Sequence, residues 1–256
     1  MALWEGLIDG LGAVLRFFHD VVEPLPLLGA APWGWAIILL TFAVRVVLVP
    51  LAVKQISSMR AMQGLQPQMK KIQAKYKADR SLMRTDPEKY REKRQKQQEE
   101  MMKLYKEHNV NPAASCLPLL AQMPVFFALF TLLRDDRRVP ELATEGFYII
   151  PNLAEVPTAQ MGIGVIILIG LMGLTTFLSQ RQMMASNPAA ADQPQQKILL
   201  YAMPVLLTVF AVNLPIGVLL YWVTTNVWTM AQQYVMFRNI EPAAAPGKPK
   251  PKPKQA

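Results

Sequence analysis

Five runs along this chain are apolar and nearly free of charge, at about residues 33 to 53, 117 to 133, 161 to 178, 198 to 212 and 216 to 237. A helix needs roughly 20 such residues to cross a bilayer, and a soluble core seldom supplies five of them. The pattern predicts an all-α polytopic membrane protein with five transmembrane helices. Ahead of the first run, Leu3, Trp4, Leu7, Ile8, Leu11, Leu15 and Phe18 recur at three- and four-residue steps, while Glu5, Asp9, Arg16 and His19 fall mostly elsewhere. That spacing predicts an amphipathic helix lying in the membrane interface. Glu5 and Asp9 interrupt the stretch that a signal peptide would keep basic and then apolar.

Between the first two runs the helical period persists while the surface turns polar. Ile56, Met59, Met62, Leu65, Met69, Ile72 and Tyr76 keep one face, and Tyr90, Gln97, Met101, Leu104 and His108 another. Asp86, Pro87 and Glu88 have the form of a cap, a first-turn proline and an acidic first turn. Residues 56–108 therefore read as two antiparallel helices joined near residues 79–86. The expected organisation is an outer amphipathic segment at 1–31, a five-helix core at 32–238 that includes the hairpin and a loop at 179–197, and a basic disordered tail at 239–256.

Charge orients these elements. The chain has 27 Lys and Arg against 18 Asp and Glu. Of those 27, the segment between the first two runs, the third-to-fourth loop and the tail hold 22. By the positive-inside rule these face the cytoplasm, which puts the N-terminus outside and the C-terminus inside. Cys116 is the one cysteine, so neither an intramolecular disulfide nor a cysteine zinc cluster is available. The fourth run spans only about 22 Å as a helix, against about 30 Å of hydrocarbon. Either the bilayer thins beside it, or its boundary at the Asn213, Leu214, Pro215 turn is drawn too tightly.

One charge stands inside these runs. Arg45 sits twelve residues after Trp33 and nine before Lys54, and none of the five runs contains Asp or Glu. An arginine at such depth costs about 2.5 to 3.5 kcal/mol on insertion scales; without an ion pair it needs water, neutral acceptors or a ligand. Trp222, Thr225, Asn226, Thr229 and Gln233 line one stripe of the last run, and Thr41 shares the face of Arg45. Gln122, Ser179, Gln180 and Tyr201 also fall in the cytoplasmic halves. This bias is expected of helices that enclose a wet groove open to the cytoplasm and sealed outside. Hydrogen-bonded glue between helices is the plainer role for any single Thr.

Methionines Met59, Met62, Met69 and Met101 on the hairpin, and Met183 and Met184 in the second loop, are candidate soft contacts for varied apolar partners. The run KPKPKPK in the tail is extended and basic, suited to anionic lipid or ribosomal RNA without reading sequence. A transporter would call for acidic or histidine partners within the spans, whereas His19 and His108 lie outside them. An intramembrane protease would need a base near Ser179, and no histidine is there. A glycine-rich phosphate loop is absent as well.

Three stretches carry a family likeness: RVVLVPLAVKQISSMRAMQGLQPQMKKIQAKYK from Arg45 to Lys77, HNVNPAASCLPLLAQMPVFFALFTLL over 108–133, and NLPIGVLLYWVTTNVWTMAQQ over 213–233. Together they resemble the YidC-type membrane protein insertases, in the compact Gram-positive and particularly actinobacterial form that lacks a large periplasmic domain. The resemblance implies a plasma-membrane protein with a cytoplasm-open hydrophilic groove, in which Arg45 matches the family arginine and Trp222 the groove tryptophan. Gln180 falls where the family motif varies. The implied activity is to move short hydrophilic tails of nascent membrane proteins through the groove and release their apolar segments into lipid, without cofactor, nucleotide or enzymatic chemistry. The implied partners are the ribosome, the signal recognition particle receptor and the Sec translocon, met by the hairpin and the second loop.

Overall fold

The computed structural model describes residues 2–76, 82–111, 117–135, 138–158, 162–185 and 194–239. Cys116, the tip of the predicted hairpin loop, residues 186–193 of the second loop and nearly all of the predicted tail lie outside them. The described chain is mostly helical. An irregular strap, residues 138–158, holds one 3-10 turn (Pro140–Ala143) and a lone bridge between Phe147 and Ile150.

Helix α1 (Ala2–Val22) packs against α2 (Pro32–Val47) and α7 (Leu117–Arg134). It is three-sided rather than two-sided. Ile8, Leu11 and Leu15 are buried in the core, Glu5, Asp9 and Arg16 form a polar strip, and Leu3, Val14, Phe17 and Val21 make a second apolar face that is exposed. The expected apolar face is therefore mostly core, and Leu3 leaves it at 92% exposure. Arg138 of the strap ties the polar strip down: it donates to Glu5, Asp9 and Asp135, and its carbonyl accepts from Arg16. The two α1 carboxylates and Asp135 hold the Arg138 guanidinium above its ordinary pKa.

The first apolar run is not one straight helix. α2 and α3 (Val49–Gly64) are bent by 59° at Leu48. Pro50 explains the break, since it has no N–H for the Val46 carbonyl and its ring crowds that carbonyl. Arg45 consequently lies in the last turn of α2, just ahead of the bend, and not midway along a straight span.

The other runs become helices of unequal reach. α8 (Ile163–Ala185) is by itself long and apolar enough to cross a bilayer, and the bent α2–α3 pair qualifies if it is one span. α8 continues well past the predicted end at 178, so Ser179, Gln180, Met183 and Met184 are helical and not loop residues. α9 (Pro194–Ala211) starts earlier than predicted, with Gln195, Gln196 and Lys197 ahead of the apolar run that begins at Ile198. The turn after it forms as expected, with Asn213 N–H donating to Phe210 O and Leu214 N–H to Ala211 O. α10 (Ile216–Asn239) is central, in contact with α2, α3, α7 and α8, and its polar stripe dilutes its hydropathy.

The described part of the hairpin has two antiparallel arms, as expected, but the first is divided at Leu65 and a short extra helix precedes the second. α3 leads into α4 (Gln66–Lys75), a short α5 (Leu82–Thr85) follows, and α6 (Pro87–Glu107) returns along α4. Asp86 caps α6 by accepting from Lys89 N–H at 3.0 Å, with Pro87 in the first turn. At the far end Asn109 takes φ 52°, Val110 N–H bonds Tyr105 O at 2.9 Å and Asn109 N–H bonds Lys106 O at 3.2 Å. This is a Schellman cap, and Val110 packs beside Leu104 to complete it.

Candidate functional site

Burial divides the helices lengthwise. Toward the strap the interior is apolar: Trp33, Ile37 and Leu40 of α2, Leu129 and Leu132 of α7, Leu168 of α8 and Ile216 to Leu220 of α10 are all buried. The strap closes this end. Its own Leu142, Ile150 and Leu153 are buried, while Glu155 O and Leu153 O accept from Ile216 N–H (2.9 Å) and Gly217 N–H (2.7 Å). Those are first-turn amides of α10 that its own helix leaves unpaired. Phe147 lies so near Gly34 that any Cβ there would overlap its ring.

Toward the hairpin the interior turns polar. Arg45 is half-buried, and one Nη contacts the Thr225 carbonyl at 3.5 Å, which also accepts from Thr229 Oγ1 at 2.8 Å. Arg45 Nε, Gln122 Nε2, Tyr221 Oη, Thr225 Oγ1 and Gln233 Oε1 are buried atoms with no hydrogen-bonding partner. Five such atoms at one end of a bundle are unusual, because each buried polar atom left unpaired costs about 1 to 3 kcal/mol. Among the described residues no carboxylate pairs with Arg45. The arrangement can accept water or a polar, preferably acidic, visitor.

The remaining predicted residues divide between groove and packing. Trp222 is half-buried, edge-on to Phe126 with ring centres 5.3 Å apart, and Gln122 lies one turn from Phe126 on the same face of α7. Asn226 turns away from Arg45 and donates to Thr175 Oγ1 (3.2 Å) and Thr176 Oγ1 (2.9 Å) of α8, so it joins helices. Thr41 is wholly buried and donates to its own helix at Ile37 O. Gln180 is half-buried, and Tyr201 is 63% exposed beside Phe177, outside the polar interior.

The methionines depart further from expectation. Met59, Met62 and Met69 are buried and Met101 partly so; Met62, Met69 and Met101 pack in the hairpin's own core, and Tyr105 Oη approaches Met69 Sδ at 3.9 Å. Partner contact through them would require the hairpin to open, whereas Met102 is exposed. Met183 and Met184 are half-buried on α8.

Tyr221 was not expected. It lies next to Arg45, 2% exposed, and its hydroxyl faces the Thr225 side chain without a hydrogen bond of good geometry. The signal was present: Tyr221, Thr225, Thr229 and Gln233 follow strict four-residue steps, one helix face. Arg60 was missed also; its guanidinium, buried at the root of the hairpin, donates to Met236 O of α10 at 2.9 Å.

A helical membrane protein with an arginine-bearing polar interior at one end and an apolar seal at the other is the class defined by these features. The family model described as 60Kd inner membrane protein matches residues 26–88 and 87–243. A membrane protein insertase YidC of Streptomyces avermitilis is 41% identical over 234 residues, 81% of this chain and 51% of that protein. One from Oceanobacillus iheyensis is 40% identical over 78% of this chain and 72% of its own length. The insertase MisCA of Bacillus subtilis is 33% identical over 85% and 77%. A crystal structure of an active YidC insertase with its first transmembrane domain resolved superposes with a TM-score of 0.62 at 28% identity, covering 91% of this chain and 46% of that one. The chain belongs to the YidC family of membrane protein insertases and is a cell-membrane protein. It spans about half the length of the Streptomyces relative.

Proposed function

We propose that this chain is itself a membrane protein insertase, with five crossings, its N-terminus outside and its hairpin in the cytoplasm. The short polar tail of a nascent membrane protein enters the half of the bundle around Arg45, where fewer of its groups must be dehydrated at once. Arg45 attracts acidic tails, and its attraction gains strength as the surrounding dielectric falls. After the tail leaves toward the strap side, the client's apolar segment partitions into lipid, gaining about 25 cal/mol per Å² removed from water. The chain performs no bond chemistry, and energy comes from partition. The ribosome, the signal recognition particle receptor and the Sec translocon are partners that fit a cytoplasmic hairpin.

The observation that carries this reading is the half-buried arginine without a carboxylate, set among buried polar atoms that lack good hydrogen bonds, found among the described residues at this end only. Its test is insertion of clients with acidic translocated tails into vesicles holding the purified protein. Attraction worth about 1 to 2 kcal/mol at intermediate dielectric corresponds to roughly a tenfold change in rate. Arg45→Ala is expected to lose that factor with acidic tails and much less with neutral ones, and Arg45→Lys to retain part of it. Equal insertion by parent and Arg45→Ala would refute the role.

A further inference from the structure

We infer that the strap tip, Phe147 to Ile150, is a lipid-binding finger bedded in the leaflet at the strap end of the molecule. The bridge from Phe147 to Ile150 folds the chain back on itself, with N–H to O distances of 2.8 and 2.9 Å. Ile150 is buried and Phe147 half-buried beneath it, whereas Tyr148 and Ile149 stand outward at 58% and 64% exposure. Tyr148 holds φ 52°, a left-handed conformation that a bulky side chain rarely adopts. A tip placed in water would have little reason to keep an aromatic in that conformation in order to expose it.

The hydroxyl of Tyr148 is already satisfied. It accepts from Trp35 Nε1 at 3.0 Å and donates to the Leu27 carbonyl at 3.2 Å, so the exposed ring needs no water partner. Tyr and Trp joined in this way belong to the level where lipid headgroups meet acyl chains. No charged residue occurs from Gly146 to Ala154. The tip is also continuous with a face that lipid must cover. The Ile149 carbonyl rests on Gly164, leaving no room for a Cβ there, and the outward residues Ile163, Ile166 and Ile167 of α8 follow directly. A soluble partner would have to end its contact at Ile149, whereas acyl chains cover both surfaces without a seam.

This inference rests on α8 crossing the bilayer and not on the insertase reading. The full chain, in a Cys116→Ser background, is reconstituted in vesicles with an environment-sensitive fluorophore on Ile149→Cys, Ile166→Cys or Thr144→Cys. Quenching is compared between lipid carrying a nitroxide near the headgroup and aqueous iodide. Expected is lipid quenching of positions 149 and 166 at least twofold above that of 144, with iodide acting chiefly on 144. Iodide quenching of 149 equal to that of 144 would place the tip in water. Protection of 149 from both quenchers would indicate a protein contact, such as a second copy. Either outcome with 166 still quenched by lipid overturns the finger and leaves the membrane reading intact. A phospholipid with a photoreactive group near its headgroup repeats the test on the unmodified chain. Adducts are expected within 147–150, and their absence contradicts the finger independently of any substitution.

Discussion

Arg45 and Tyr221 lie against one another, and neither the buried Arg45 Nε nor the buried Tyr221 hydroxyl, which faces Thr225, finds a hydrogen bond of good geometry. Thr41, Thr208 and Thr224 show the ordinary solution, each donating to the carbonyl four residues earlier. Tyr221 does not have that outlet, because its hydroxyl sits far from its own backbone. Replacing it with Phe removes a buried hydroxyl whose one contact, with the Thr225 side chain, is poor, and keeps the ring. Tyr221→Phe is therefore expected to unfold at the same or a slightly higher temperature, within about 1 kcal/mol, while inserting acidic-tailed clients more slowly. A large fall in melting temperature would instead make the hydroxyl structural. Arg45, Gln122, Thr225 and Gln233 were legible from sequence because polar atoms in apolar runs announce themselves. Tyr221 was not, since a tyrosine in such a run passes for packing until its four-residue register with Thr225 is noticed. Asn226 misled in the other direction: only the position of Thr175 and Thr176 reveals that it is already engaged.

Among the elements, the strap depends on close approaches that hydrophobic patterning does not register. Gly34 admits the Phe147 ring against α2, and a methyl there must displace it. Gly34→Ala is expected to lower stability by about 1 to 3 kcal/mol, read as a fall in the thermal midpoint of the detergent-solubilised protein. An unchanged midpoint would mean that the strap is not held at this point. The left-handed Tyr148 adds a cost of about 1 to 3 kcal/mol that the same packing must offset.

In the hairpin, Lys75 Nζ and Tyr76 Oη both donate to Glu100 Oε1 at 2.6 Å and hold that carboxyl below its ordinary value of 4.5. A depressed carboxyl stabilises fully above its unfolded pKa and loses this contribution as pH falls through the folded one. Slow amide exchange in the hairpin is thus expected to hold from pH 7 to 5 and to weaken below about pH 4.5. Glu100→Gln should weaken the hairpin at neutral pH and flatten that acid response; an identical acid profile for both proteins would remove Glu100 from the clasp. Periodicity and capping residues sufficed to read the hairpin, because its helices are local. They did not show the bend at Leu48, for which Pro50 is the cause, or the extension of α8 through Met184. Nor did they show that methionines at helical spacing pack inward, since spacing identifies a face without saying what covers it.

For the whole molecule, the lengthwise contrast matters more than any single contact. Apolar side chains and the strap close one end; Arg45 and its unpaired neighbours occupy the other, next to the bend that leads into the hairpin. Family membership, helix order and a seal on the outer side were readable early, whereas the residues that make the seal were not, because they are the irregular residues 138–158 meeting four separate helices. The central claim is that water reaches the polar interior from the hairpin side and stops short of the strap. Its most direct measurement is thiol labelling in oriented vesicles, with Arg45 retained, of Thr225→Cys and Thr229→Cys against Leu40→Cys, in a Cys116→Ser background. A membrane-impermeant reagent on the hairpin side is expected to modify 225 and 229 readily and 40 hardly at all, with no labelling from the strap side. Unreactive thiols at both 225 and 229, or equal reaction from the two sides, would contradict it.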